Sequence, residues 1–217
     1  AAGDNFSTSN KPLRAGKGYQ FEGGIREPYF IKIPGLSKGG DKIDYPVSGT
    51  DFYPTFLELA GGQQLPREHN DGISLLPLFK GETLGERALI WHFPHYGNQG
   101  GEPSSIIRRG NWKLIHYYED GRKELYNLSK DIGETTDLSE AYPDKVQELD
   151  KELFNYLTEV GAKYAKPDPE YSEEKARELL HEMEYEKMPA LEKQRMEMLS
   201  NDFEPNNDWW GNTVTKD

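Results

Sequence analysis

Cysteine is absent from the 217 residues, which excludes a disulfide framework, a thiolate metal site and a cysteine nucleophile carried by this chain. The redox compartment stays open. Nowhere does an apolar run approach the ~18 residues that a membrane-spanning helix requires, so no transmembrane segment is expected. Cationic side chains are scarce: 26 Lys and Arg against 38 Asp and Glu give a net charge of −12 and a pI near 5.0. Nucleic acid binding needs clustered cations that displace counterions, so this balance argues against such a partner. A small anion is not excluded, because the field in a cleft follows the nearby charges rather than the total. Ala1 to Asn5 contain neither a basic nor an apolar segment, so no signal peptide is expected in this chain.

Aromatic residues are plentiful. With 35% apolar and 12% aromatic residues the chain can build one large core or two small ones. The mean hydropathy of −0.87 is polar for an enzyme, and the excess polarity sits in the last 50 residues or so, which read as an appendage.

Between Pro12 and Gly24 the glycines and a proline describe a backbone that turns closely, with Lys17 between Gly16 and Gly18 as its charged tip. Two readings compete there, a solvated loop lysine and an anion site. Tyr29 to Ile33 then predicts a short buried strand stopped by Pro34-Gly35. Thr50 or Asp51 can cap a helix presenting Phe52, Phe56 and Leu59 on one face, with Pro54 in its first turn and Gly61-Gly62 as the stop. A strand and a helix form the tail end of an α/β layer. The rest of that sheet is not in this sequence.

From Ala88 the pattern shortens to strands at Ala88 to Phe93, Ser105 to Arg108, Trp112 to Tyr118 and Lys123 to Leu128, with close turns that favour an antiparallel meander. Behind Pro143, Val146, Leu149, Leu153, Tyr156, Leu157, Val160 and Tyr164 recur at helical spacing, predicting an amphipathic helix across one face of the sheet. After Pro167-Asp168-Pro169, Ser172 can cap a helix with Ala176, Leu179, Leu180 and Met183 as a narrow stripe; Pro189 interrupts, and a second helix runs to about Leu199. All four methionines lie between Met183 and Met198, suiting either adaptable packing or a solvated arm. Trp209-Trp210 reads as an aromatic anchor or a carbohydrate-stacking pair. The expected organisation is therefore residues 1–87 as the end of an α/β domain, 88–166 as a small α+β subdomain, and 167–217 as a charged helical extension.

Arg14, Gly16-Lys17-Gly18, Glu22-Gly23-Gly24, Arg26 and Pro28 together resemble the R-x-G-K-G-x-x-x-E-G-G-x-R-x-P string of the formylglycine-dependent sulfatases, arylsulfatase-like members of the alkaline phosphatase superfamily. Family-like strings follow in order: Ser48 to Thr55, Asp71 to Leu78, Trp91-His92-Phe93-Pro94-His95-Tyr96, Arg108 to Leu114 and Glu124 to Leu128. They cover about residues 10 to 165.

The resemblance implies the C-terminal part of a sulfatase, a sulfuric ester hydrolase, with calcium and formylglycine in the complete enzyme and a sulfated small molecule or carbohydrate as substrate. It implies Lys17 as the lysine that contacts the sulfate and steadies the leaving oxygen, a task that suits a fixed cation. Glu22 and Arg26 are expected to hold the loop together as a buried pair. The loop with His92 and His95 would border the pocket, so either could bind substrate, His95 being preferred. Strand alternation puts His92 beside Ile90, while His95 falls beyond Pro94 in irregular backbone. Arg108 could reach an anionic sugar, or simply end a strand.

The family's nucleophile string C/S-x-P/A-x-R has no counterpart here, nor do its N-terminal Asp-Asp calcium ligands. Asp4-Asn5 resembles the later Asp-Asn metal pair but reads as loop, and no metal ligand is assigned; His69 reads as a solvated loop residue. This chain alone is expected to be inactive, with the missing N-terminal portion of the sulfatase as its partner. Periplasmic or secreted localisation follows from the family, and a homo-oligomer is compatible with it. The alternatives are a non-catalytic binding or scaffolding protein derived from a sulfatase, and part of a phosphoesterase of the same superfamily.

Overall fold

A computed structural model describes residues 10–65, 67–68, 70–97, 100–166 and 169–203. At its centre is a four-stranded antiparallel meander of β1 (Ala88–Phe93), β2 (Ser104–Arg109), β3 (Trp112–Tyr117) and β4 (Lys123–Asn127), in that spatial order. Glycines in the left-handed region make its tight turns, Gly110 (φ 55°) between β2 and β3 and Gly121 (φ 72°) between β3 and β4. Ile90 pairs with Ile107, and Ile107 with Leu114, which pairs in turn with Leu125. That row faces one long helix, α4 (Pro143–Glu159), whose Leu149, Leu153 and Leu157 recur every four residues and are at most 1% exposed. Each such leucine contributes roughly 1.5–3 kcal/mol of transfer free energy.

The opposite face of the sheet presents Ile106, Ile115, Tyr117 and Tyr126, and it is covered by Phe21 and Leu128. Phe21 belongs to the glycine-rich loop, and immediately precedes a single helical turn, α1 (Glu22–Ile25). The glycine-rich loop, expected within the unit of residues 1–87, thus lies against the meander, which is sandwiched between this loop and α4.

Residues 26–87 are mostly irregular. Tyr29 to Ile33 is not a strand: Tyr29 is 38% and Phe30 91% exposed, and only Ile33 is buried. Pro28 and Pro34 bracket the run, and no neighbouring strand among the described residues offers its backbone groups a ladder. A 3₁₀ turn, Gly49–Asp51, leads into α2 (Phe52–Leu59) and is capped by Ser48, two or three positions before the expected Thr50 or Asp51. The Ser48 amide donates to Asp51 Oδ2 at 2.7 Å and the Thr50 amide to Ser48 Oγ at 3.5 Å.

The apolar face of α2 is turned outward, with Phe52 37% and Phe56 56% exposed and their rings in line with that of Tyr29. Pro54 and Thr55 are buried instead. Thr55 Oγ1 accepts from the Leu75 amide at 2.9 Å, seating α2 against α3 (Leu76–Phe79).

The node of this region is Asp51, wholly buried. Arg87 Nη1 donates to its Oδ1 at 2.7 Å and Nη2 to its Oδ2, and the Ile73 amide donates to Oδ1 at 3.0 Å. One carboxylate thereby joins Ser48, Ile73 and Arg87.

Beyond residue 169 lie α5 (Glu173–Glu182), a π-helical turn (Met183–Lys187) and α6 (Met188–Met198). The Lys175 amide donates to Ser172 Oγ at 3.3 Å, as the expected cap requires. The interruption falls just before Pro189, which has no amide hydrogen to continue an α-helical ladder. The described contacts of these helices are chiefly with each other. Trp209-Trp210, the side chains of the Ala176, Leu179, Leu180 and Met183 stripe, His69 and Asp4-Asn5 lie outside the described residues.

Candidate functional site

The glycine-rich loop is built from its own backbone. Asn10 Nδ2 donates to Ala15 O at 3.1 Å and Gly23 O at 3.3 Å, the Gly23 amide to Arg14 O at 2.8 Å, and the Tyr19 amide to Gly16 O at 3.1 Å. A Cβ on Gly23 would overlap the carbonyl oxygens of Arg14 and Ala15, and one on Gly24 that of Tyr19 while standing 2.6 Å from Gly16 O. The double glycine is what lets α1 seat directly on residues 14–19. Lys17, exposed, stands at the tip of that segment.

Under the loop is a buried group of charges. Lys113, wholly buried in β3, places Nζ 3.1 Å from Glu22 Oε1 and 2.7 Å from Glu134 Oε1. Glu134 Oε2 accepts the Glu22 amide at 2.6 Å, and Arg108 Nη1 stands 3.5 Å from Glu22 Oε2. Both glutamates are no more than 1% exposed. Burial raises the Glu134 carboxyl above its ordinary range despite the opposing pull of Lys113. Burial also lowers the Arg108 guanidinium, against the pull of Glu22. Beside this group Arg14 Nη1 donates to Tyr126 OH at 3.1 Å and to Glu134 O at 3.0 Å, with its guanidinium 3.7 Å above the Phe21 ring.

The buried partner of Glu22 is Lys113. Arg26 is the lesser member of the expected pair, 3.8 Å from Glu22 Oε2 with 45% of its side chain exposed, because the turn of α1 leaves it at the solvent side. Arg108 lies on the loop face of the sheet and pairs with Glu22.

His92 lies on the other face. Its register with Ser105 and its alternation with Ile90 turn it toward α4. There Nε2 donates to Lys163 O at 2.8 Å, which leaves Nδ1 to accept from Ser105 Oγ at 2.6 Å. Both ring nitrogens are thus engaged, between the sheet and the segment after α4. His95 is exposed beyond β1, against the Phe93 ring. A Cβ on Gly101 (φ 74°) would overlap Gly18 O. Gly101, just before β2, thus touches the Lys17 loop.

Sequence reasoning overlooked Lys113 and Glu134. The available signal was a lysine in register with Ile115 and Tyr117 on an apolar strand, where an unpaired charge would be costly. Glu134 carried no such signal, since its left-handed backbone (φ 51°) is unusual for a non-glycine residue and is seen only in the fold.

Among the described residues no three His, Asp or Glu side chains converge on a point where a metal could sit. A calcium ion of the kind on which sulfatases generally depend does not fit these residues, and formylglycine has no precursor string here.

Residues 15–163 match the family described as N-sulphoglucosamine sulphohydrolase, C-terminal. The chain belongs to this family of sulfatases. It is 39% identical over 158 residues to a sulfatase of Formosa agariphila, covering 67% of this chain and 28% of that protein. It is 37% identical over 139 residues to arylsulfatase K of Danio rerio, covering 61% of this chain and 26% of that protein. The chain thus spans less than a third of the length of these relatives. Among solved structures, Ps i-CgsB matches with a TM-score of 0.57 at 30% identity over 69% of this chain and 32% of that one. The same protein in complex with k-i-k-neocarrahexaose matches with a TM-score of 0.57 at 26% identity, over 87% and 39% respectively.

Proposed function

We propose that this chain is the C-terminal part of a sulfatase that hydrolyses a carbohydrate sulfate ester, in which Lys17 contacts the sulfate. One observation carries the reading: Lys17 is exposed on a loop in which Gly23 and Gly24 stand where any Cβ would overlap neighbouring carbonyl oxygens and whose base is locked to a buried ion cluster. An ammonium carried on such a backbone can neutralise charge that develops on the sulfuryl and leaving oxygens. His95, exposed beyond β1, contacts substrate hydroxyls, and the neocarrahexaose bound by a structural relative supports a carbohydrate.

The nucleophile and metal ligands come from the remainder of the protein. The outward-facing Tyr29, Phe52 and Phe56 give that remainder a surface to bury. That unfilled face favours part of a hydrolase over a free-standing scaffold. Periplasmic or secreted localisation is the corresponding expectation, and no described helix is long and apolar enough to cross a membrane.

The test is turnover of a carbohydrate sulfate ester by a complete enzyme carrying this chain. Lys17→Ala lowers kcat by about 100-fold or more, comparable to loss of an oxyanion-hole donor. Unchanged turnover removes Lys17 from the mechanism, and faster cleavage of the matching phosphate ester turns the assignment to a phosphoesterase.

A further inference from the structure

We propose that Lys113 and Glu134 are positioning residues for Lys17, acting as a buried lock that fixes the glycine-rich loop from below; this rests on the reading of Lys17 given above. The connection runs through contacts already described. Lys113 Nζ is shared between Glu22 Oε1 (3.1 Å) and Glu134 Oε1 (2.7 Å), and Glu134 Oε2 takes the Glu22 amide (2.6 Å). Glu22 opens α1, and the next two residues, Gly23 and Gly24, bear on the carbonyl oxygens of Arg14, Ala15, Gly16 and Tyr19. Lys17 lies inside that span. A shift of Glu22 therefore passes through backbone contacts with no slack to the residue at the tip.

The charges make the lock strict. Lys113 has no exposure, so its ammonium depends on the two carboxylates, and the carboxylates on it. Arg14 adds a second tie, binding the Glu134 carbonyl at 3.0 Å, so that Glu134 holds the loop on both sides of Lys17. Hydrophobic burial of Phe21 sets the loop's height above the sheet, whereas the ion cluster, being directional, sets its register.

The test is a double-mutant cycle in a complete enzyme carrying this chain, with carbohydrate sulfate turnover and amide exchange as readouts. Lys113→Met lowers kcat by about 100-fold, the scale expected for a displaced catalytic group, with a smaller effect on KM. In the Lys17→Ala background the same change costs less than about twofold, because the residue it positions is already gone. Glu134→Gln, which keeps an oxygen for the Glu22 amide, lowers kcat by about tenfold and serves if Lys113→Met does not fold.

Additive losses in the cycle, or a lowered Tm with unchanged kcat in both variants, overturn the proposal. If Lys17→Ala alone leaves turnover intact, the sulfate-contact reading has failed, and exchange at the Glu22 and Gly23 amides decides the lock by itself. Acceleration of about tenfold or more in Lys113→Met or Glu134→Gln supports it, and unchanged exchange overturns it.

Discussion

Asp51→Ala is the sharpest test of how the region before the sheet is held. The substitution removes a wholly buried carboxylate that receives two guanidinium hydrogen bonds from Arg87 and two amide hydrogen bonds, from Ser48 at 2.7 Å and Ile73 at 3.0 Å. Arg87, only 18% exposed, is left as a cation with most of its surface out of water. Removing one partner of a buried pair costs about 3–5 kcal/mol. At about 1.4 kcal/mol per tenfold, local opening becomes roughly 10² to 4 × 10³ times more frequent.

Amide hydrogen exchange at Ser48 and Ile73 reads that opening directly, without requiring two-state unfolding of the whole protein. Asp51→Ala with Arg87→Met should recover part of the loss, since no charge is then stranded. Acceleration below tenfold in the single variant would refute the reasoning, because it would mean that water reaches Arg87 and replaces the carboxylate.

Gly24→Ala places a methyl group against Gly16 O and Tyr19 O. It should destabilise the loop by about 1–3 kcal/mol, the usual cost of overpacking, and lower sulfate ester turnover in a complete enzyme, whereas Gly39→Ala, in open space, should leave turnover unchanged. Asp150 gives a pH signature: burial would raise its carboxyl, but hydrogen bonds from His116 (2.8 Å) and Lys123 (2.9 Å) prevail and hold it below the ordinary value of 3.8. Its contribution to stability is therefore present above pH ~4 and is lost as pH falls through the lowered value. Thermal melts between pH 5 and pH 2 should show a shallower acid decline for Asp150→Asn, and identical slopes would refute the linkage.

The local signals were strong where structure is local. Glycine turns and alternating apolar residues marked the four strands of the meander, and leucines at four-residue spacing behind Pro143 marked α4. In the string from Arg14 to Pro28 the pair Gly23-Gly24 is legible for the same reason, because a backbone that approaches itself closely must dispense with Cβ atoms wherever it folds.

Long-range choices were settled only by the tertiary structure. Glu22 finds Lys113 and Glu134, 91 and 112 positions along the chain, where a sequence reading offers it the nearby Arg26. His92 is turned by strand register toward α4, and only the packed helix and the Lys163 carbonyl show that its ring is fully engaged. Tyr29 to Ile33 has the composition of a strand, yet backbone hydrogen bonds need a neighbour that composition cannot supply. Propensity and spacing act over a few residues and can be read along the chain; ion pairing, ladder formation and burial depend on which distant segments meet, and that is decided by the folded whole.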